Sequence, residues 1–127
     1  MANEVFAEAC NARLVTLVGL PTVRWSLDAI SQVVPRFEVE FTEFDPDVVS
    51  LKGVHKEMFL YQITIVVKRG SGQWYTLQMI DQIKALFPYN AVVAAGLKVS
   101  VRPSSNFVLT DETEIGTVVS IRLHSFN

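Results

Sequence analysis

Residues 68–74 read KRGSGQW, two basic side chains and a glycine–serine–glycine run at the end of an apolar, β-prone stretch. A strand turning through glycines into a helix beside lysine and arginine could cradle a phosphate, because the free N–H groups at a helix start attract anions. The spacing does not fit such a cradle. A P-loop needs a lysine and then a hydroxyl residue directly after its last glycine, whereas Gln73 and Trp74 follow Gly72 here. The dinucleotide fingerprint needs three glycines in a parallel strand–helix–strand unit, and this corner holds two. The expectation is that Gly70 and Gly72 supply positive φ for a sharp strand-to-helix turn, with Ser71 available as a helix cap.

Other chemistry-bearing residues are scattered. His55 and His124 stand far apart, with no HExxH or CxxC pattern near either, so no metal-ligand spacing is present. Asp45 and Asp47 flank Pro46, and Asp111, Glu112 and Glu114 form a second acidic group. Either could hold calcium weakly, yet neither has the spacing of a calcium-binding loop, and solvated turns are the expectation. No serine lies in a G-x-S-x-G elbow. The single cysteine, Cys10, falls on the apolar side of a helical pattern and is expected to be a buried packing residue rather than a reactive thiol. No catalytic residue, cofactor or metal is implied.

The composition narrows the classes further. The chain has 127 residues and a net charge of −2, the size of one domain and the wrong sign for binding nucleic acid through a basic field. No uncharged apolar run approaches the roughly 20 residues that span a bilayer. The start of the chain carries Glu4 and Glu8 and no basic leader, so no secretory signal is expected and a reducing cytoplasmic setting fits the lone cysteine. Hydrophobic residues reach 50% while charged ones stop at 19%, and the mean hydropathy is +0.30. Self-association that hides surplus apolar surface would account for that balance.

The elements follow from periodicity. Residues 3–18 place Phe6, Cys10, Leu14 and Leu17 at helical steps, with Asn3 as the expected N-cap and Gly19 and Pro21 as the stop. Residues 22–35 have no clean period. Residues 36–44 alternate, with Phe37, Val39 and Phe41 on one side. Residues 44–57 read as a long loop or hairpin arm. Residues 58–69 form the most β-prone segment, with Phe59, Tyr61, Ile63, Ile65 and Val67 on one face. A second helix over 73–87 carries the stripe Trp74, Leu77, Ile80, Ile83 and Phe87 and ends at Pro88. Strands over 97–102 and 115–126 close the chain, with a short pairing segment at Phe107–Leu109 between them. The predicted architecture is a single α+β domain in the order α-β-β-α-β-β, a mostly antiparallel sheet of four to five strands with both helices on one face.

If helices cover the Phe59–Val67 face, then Met58, Leu60 and Val66 look outward, as do Val118 and Phe126 on the last strand. Exposed contiguous apolar area on a small domain marks an interface, unless the 44–57 arm folds back over it. These five residues are the candidate subunit interface.

The layout resembles the tail-terminator family of long-tailed bacteriophages, the small minor tail proteins that cap the finished tail tube. The likeness runs through the first helix ending in LVGLP (17–21) and the alternating FEVEF (37–41). It continues through FLYQITIVVKRGSGQW (59–74) into a helix ending IKALFP (83–88), and then through LKVSVRPS (97–104) and GTVVSIRLHSF (116–126). It covers nearly the whole chain in element order and punctuation. The family commonly has a proline before the glycine corner, where this chain has Lys68 and Arg69. The resemblance implies a virion assembly protein without catalytic residues or cofactor. Such a protein is a homohexameric ring that sits on the last ring of tail tube protein, stops its polymerisation and presents a surface to the head–tail connector. Its place would be the head-proximal end of the virion tail, after assembly in the host cytoplasm, with DNA passing through the lumen. On that reading Glu43, Asp45 and Asp47 form an acidic, lumen-facing arm that repels phosphates. Two alternatives stay open: a head–tail completion protein, and a small-molecule-binding or hydrolytic domain using the Gly70–Trp74 corner.

Overall fold

In the computed structural model, residues 2–17, 19–25, 34–44, 58–70, 72–109 and 113–125 are described. Helix α1 (Ala2–Leu14) buries Phe6, Cys10 and Leu14, which fall one turn apart, and Leu17 follows in the turn beyond. It begins at Ala2, so Asn3 lies inside the first turn and is not its N-cap. Gly19 takes φ +79° as the chain leaves the helix.

Strand β1 (Thr22–Arg24) pairs in parallel with β2 (Arg36–Phe44). Its three residues are too few to show a period, which is why 22–35 reads as patternless. Strand β3 (Met58–Lys68) runs antiparallel to β2 along its whole length, with Phe37 opposite Ile65 and Phe41 opposite Tyr61. Helix α2 (Gln73–Leu86) follows the glycine corner. A short hairpin of β4 (Val92–Ala94) and β5 (Leu97–Val99) then turns through Gly96 at φ +86°. Strand β6 (Ser104–Leu109) and the long β7 (Glu114–Ser125) complete the chain.

One α+β domain is what forms, but its sheet is larger than expected and mixed. Among the described residues seven strands run in the order β1-β2-β3-β7-β5-β4, with β6 also on β7. The far edge of β7 is shared: β5 pairs with its C-terminal end and β6 with its N-terminal half. The two closing strands expected from periodicity are thus β5 and β7, with β6 formed by Ser104–Leu109 of the polar connector between them.

The alternation in β3 translates directly into layers. Phe59, Tyr61, Ile63, Ile65 and Val67 are buried and join Phe37, Val39, Val119, Ile121 and Leu123 in one core. Both helices add to that core, α1 through Phe6, Cys10 and Leu14 and α2 through Met79, Ile80 and Ile83. Phe6 meets Phe59 edge-on at 5.4 Å between ring centroids, and Phe41 stacks on Phe59 at 5.3 Å. The Tyr61 hydroxyl donates to Asn11 Oδ1 at 2.7 Å, which satisfies the one polar atom this buried side chain carries. Arg13 holds the helices together: its Nε donates to the Leu86 carbonyl and its guanidinium lies 5.8 Å from the Phe87 ring centroid. A cation there also faces the negative end of the α2 dipole.

Candidate functional site

The glycine corner is tightly built. Gly70 and Gly72 take φ +86° and +87°, a region L-residues enter only with strain. Gly72 is also sterically pinned, because a Cβ there would stand 2.9 Å from Val67 Cβ. The N-cap of α2 is Gly72 rather than Ser71, and no side chain caps the first turn. Lys68 and Arg69 are exposed beside it, and the Arg69 N–H donates to the Thr113 carbonyl.

Trp74 and Leu77 depart from the expected stripe. Trp74 is 81% exposed and Leu77 46%, whereas Ile80, Ile83 and Phe87 are buried as their spacing predicts. Tyr75 and Met79 in the same turns pack on the core, so it is the side of the helix carrying Trp74 and Leu77 that stays uncovered. Opposite stands Phe107 on β6, 67% exposed. Between α2 and the β6–β7 hairpin lies an open groove of about 480 Å³, lined by Val67, Thr76, Leu77, Ile80, Phe107 and Ile115. The stretch Ser104–Leu109 contains no charged residue, and among the described residues β6 pairs only with β7. Natural edges are blunted by charge, proline or bulges, and β6 has only the preceding Pro103.

The face of the sheet away from the helices differs from the expected apolar surface. Met58, Leu60 and Val118 are half-buried and interleave with Gln62, Thr64, Ser120 and Arg122. Val66 is 0% exposed and offers no surface to a partner, which removes it from the candidate interface. The reason is an ion pair that crosses it. Val66 stands in the ladder between Arg36 on β2 and Gly116 on β7. Arg36 donates to both Glu114 oxygens, Nη2 to Oε1 at 3.0 Å and Nη1 to Oε2 at 3.2 Å, and its Nε donates to Glu38 at 2.8 Å. The Glu114 hydrogen bond, ahead of Glu38, raises the Arg36 pKa against the opposing effect of burial. Phe126 lies outside the described residues, as do Asp45 and Asp47; Glu43 is exposed near the end of β2.

His55, Asp111 and Glu112 lie outside the described residues, and Glu114 is committed to Arg36. His124 Nδ1 and Ser100 Oγ are 2.6 Å apart, a bond tying the end of β5 to β7. Among the described residues no group of three or more His, Cys, Asp or Glu is placed to hold a metal ion. Among those residues, too, no helix is long and apolar enough to cross a membrane. Cys10 is fully buried, and desolvation pushes its thiol up to about 12 against the pull of Arg13.

The groove borders the Gly70–Trp74 corner, with Gly70 and Gln73 also in its lining, but its Phe107 wall was not anticipated, nor was the Arg36–Glu114 pair. The charge-free 104–109 stretch was the available signal for the first. For the second there was none, because its partners stand 78 positions apart.

No family model matches the chain, and no curated protein does. Among solved structures, a protein whose name carries no functional description superposes with a TM-score of 0.64 at 18% identity. The alignment covers 95% of this chain and 96% of that one. At that identity the likeness concerns the fold alone.

Proposed function

We propose that this chain is a structural assembly protein of the phage tail-terminator kind, which forms a ring on the end of the tail tube, halts its polymerisation and offers a docking surface to the head connector. The observation that carries the reading is the succession of elements along the whole chain. In the sequence, a helical pattern closing in LVGLP, an alternating segment, a turn-rich stretch over 44–57, a β-prone segment running through Gly70 and Gly72 into an amphipathic helical pattern, and two closing alternating segments follow in that order. Among the described residues β6 pairs on one side only, and the exposed Phe107 and Leu77 line the groove beside it, which supports the reading, since a working monomer has little reason to keep such surface bare. The acidic residues Glu43, Asp45 and Asp47 are proposed to face the lumen, where carboxylates keep DNA from sticking.

Tube subunits polymerising in the presence of this protein provide the test, with tube length measured by electron microscopy. Tubes capped and shortened in proportion to added protein are expected. Unchanged lengths with binding to the connector alone would point instead to a head–tail completion protein. Unchanged lengths with no binding to either would discard the assembly reading.

A further inference from the structure

We infer that the sheet face turned away from the helices docks an acidic protein segment at its β5–β7 end, where carboxylates meet Arg122 and Lys98 and an apolar side chain meets Leu60 and Met58. The inference rests on the assembly reading above for the kind of protein that supplies the segment, a neighbour in the finished tail.

Charge on this chain is segregated along the sequence. Residues 89–109 and 115–127 hold Lys98, Arg102 and Arg122 and no aspartate or glutamate, in a chain whose net charge is −2. The fold gathers these cations. Lys98 on β5 stands directly opposite His124 on β7, and the Ser100 N–H donates to the Arg122 carbonyl further along the same pair. Leu97, Val99, Ile121 and Leu123 are all buried in the core, so the residues that alternate with them project from the opposite face. Arg102 is exposed in the link between β5 and β6. Among the described residues neither Arg102 nor Arg122 makes an ion pair. The bond between Ser100 Oγ and His124 Nδ1, at 2.6 Å, ties β5 to β7 and holds the patch on a rigid ladder.

The neighbouring strands define what fits there. Arg122 faces Leu60 across the ladder and His124 faces Met58, both half-buried. One strand further on, exposed Glu40 lies on the same face, since it pairs with Gln62, which follows Leu60 by two. From β7 to β2 is two strand spacings, about 10 Å, and over that width the face passes from cations through apolar side chains to a carboxylate. A nucleic-acid backbone laid across it would meet Glu40 and the apolar strip as well as the cations, and phosphates gain nothing from either. A protein segment matches both parts, with carboxylates on Arg122 and Lys98 and an apolar side chain beside them on Leu60 and Met58. Arginine and methionine are among the residues enriched where proteins meet.

Fluorescence anisotropy on the full-length protein tests this with a labelled synthetic peptide in which glutamates flank two adjacent leucines. The same peptide with glutamine for glutamate, and a labelled DNA duplex, are measured beside it. Wild type is expected to bind the acidic peptide, less tightly as salt is raised, and to bind the other two at least about tenfold more weakly. Arg122→Glu and Lys98→Glu should each weaken the acidic peptide at least about tenfold. Leu60→Ser should weaken it without changing its salt dependence, and Arg69→Glu, at the glycine corner, should leave it unchanged. Circular dichroism checks that each variant is folded. Failure of wild type to bind the acidic peptide, or equal weakening by Arg69→Glu, would overturn the site. Duplex binding as tight as peptide binding, and lost in Arg122→Glu, would overturn it in favour of a nucleic-acid surface. A wild type that sediments as a dimer, with Arg122→Glu a monomer, would give the face to a second copy instead. The tube-length experiment judges the assembly reading separately, because a protein that caps tubes without binding the peptide fails this inference alone.

Discussion

Arg36 and Glu114 meet as a two-pronged ion pair, at 3.0 and 3.2 Å, across the strand that separates β2 from β7. Their side chains are 7% and 15% exposed, and beneath them Val66 loses all contact with solvent. The pair closes the far side of the sheet at the end where the glycine corner lies. Glu114→Ala would leave a buried guanidinium short of its main partner, and stability should fall by about 3 kcal/mol. Replacing both residues with apolar ones of similar volume, Arg36→Met with Glu114→Leu, should cost clearly less, because no charge is stranded. Urea denaturation of the three proteins checks this.

Gly72 and Gly70 share nearly the same φ but not the same surroundings. Around Gly70 a Cβ would meet nothing within 4 Å, whereas at Gly72 it would strike Val67. Gly70→Ala should cost about 1 kcal/mol from left-handed strain alone. Gly72→Ala should cost at least about 2 kcal/mol, with part of it recovered in a Val67→Ala background where the clash is relieved. Thermal melts of both singles and the double variant measure the difference.

Cys10 titrates only at a cost to the fold. Its thiol is raised from 9.0 to about 12 by burial, so the native state holds a proton that the unfolded chain releases. The contribution is complete below pH 9 and is lost as pH climbs from 9 towards 12, by about 1.4 kcal/mol per pH unit. Above pH 10 the buried Tyr61 adds in the same direction, since its hydroxyl is raised as well. Denaturant titrations between pH 8 and 10 should therefore show a downward slope above 9 that Cys10→Ala lacks. In the native protein at neutral pH the thiol should resist alkylation.

Tyr61 and Asn11 tie the middle of β3 to α1 through a 2.7 Å hydrogen bond. Tyr61→Phe removes donor and demand together and should cost about 1 kcal/mol. Asn11→Ala leaves the tyrosine hydroxyl unpaired in the core and should cost more, about 2 kcal/mol. A double-mutant cycle read by chemical denaturation gives the coupling.

Much of this molecule could be read one element at a time. Alternation in 58–67 named the core face of β3 residue by residue, and helical spacing placed Phe6, Cys10, Leu14, Ile80 and Ile83 inside. The two glycines of the corner were legible because a turn of that sharpness demands their backbone freedom. Such patterns report the local surroundings of a single segment, whose period is set by its own backbone geometry. Pairing between segments obeys no local period. That β1 adds in parallel to β2, that β5 and β6 divide one edge of β7, and that Arg36 reaches Glu114 depended on which strands came to lie side by side. Trp74 and Leu77 follow the same rule: their spacing is helical and apolar, yet they stay exposed, Leu77 on the wall of an open groove against β6 and β7, because what lies opposite a helix face is decided by the tertiary arrangement.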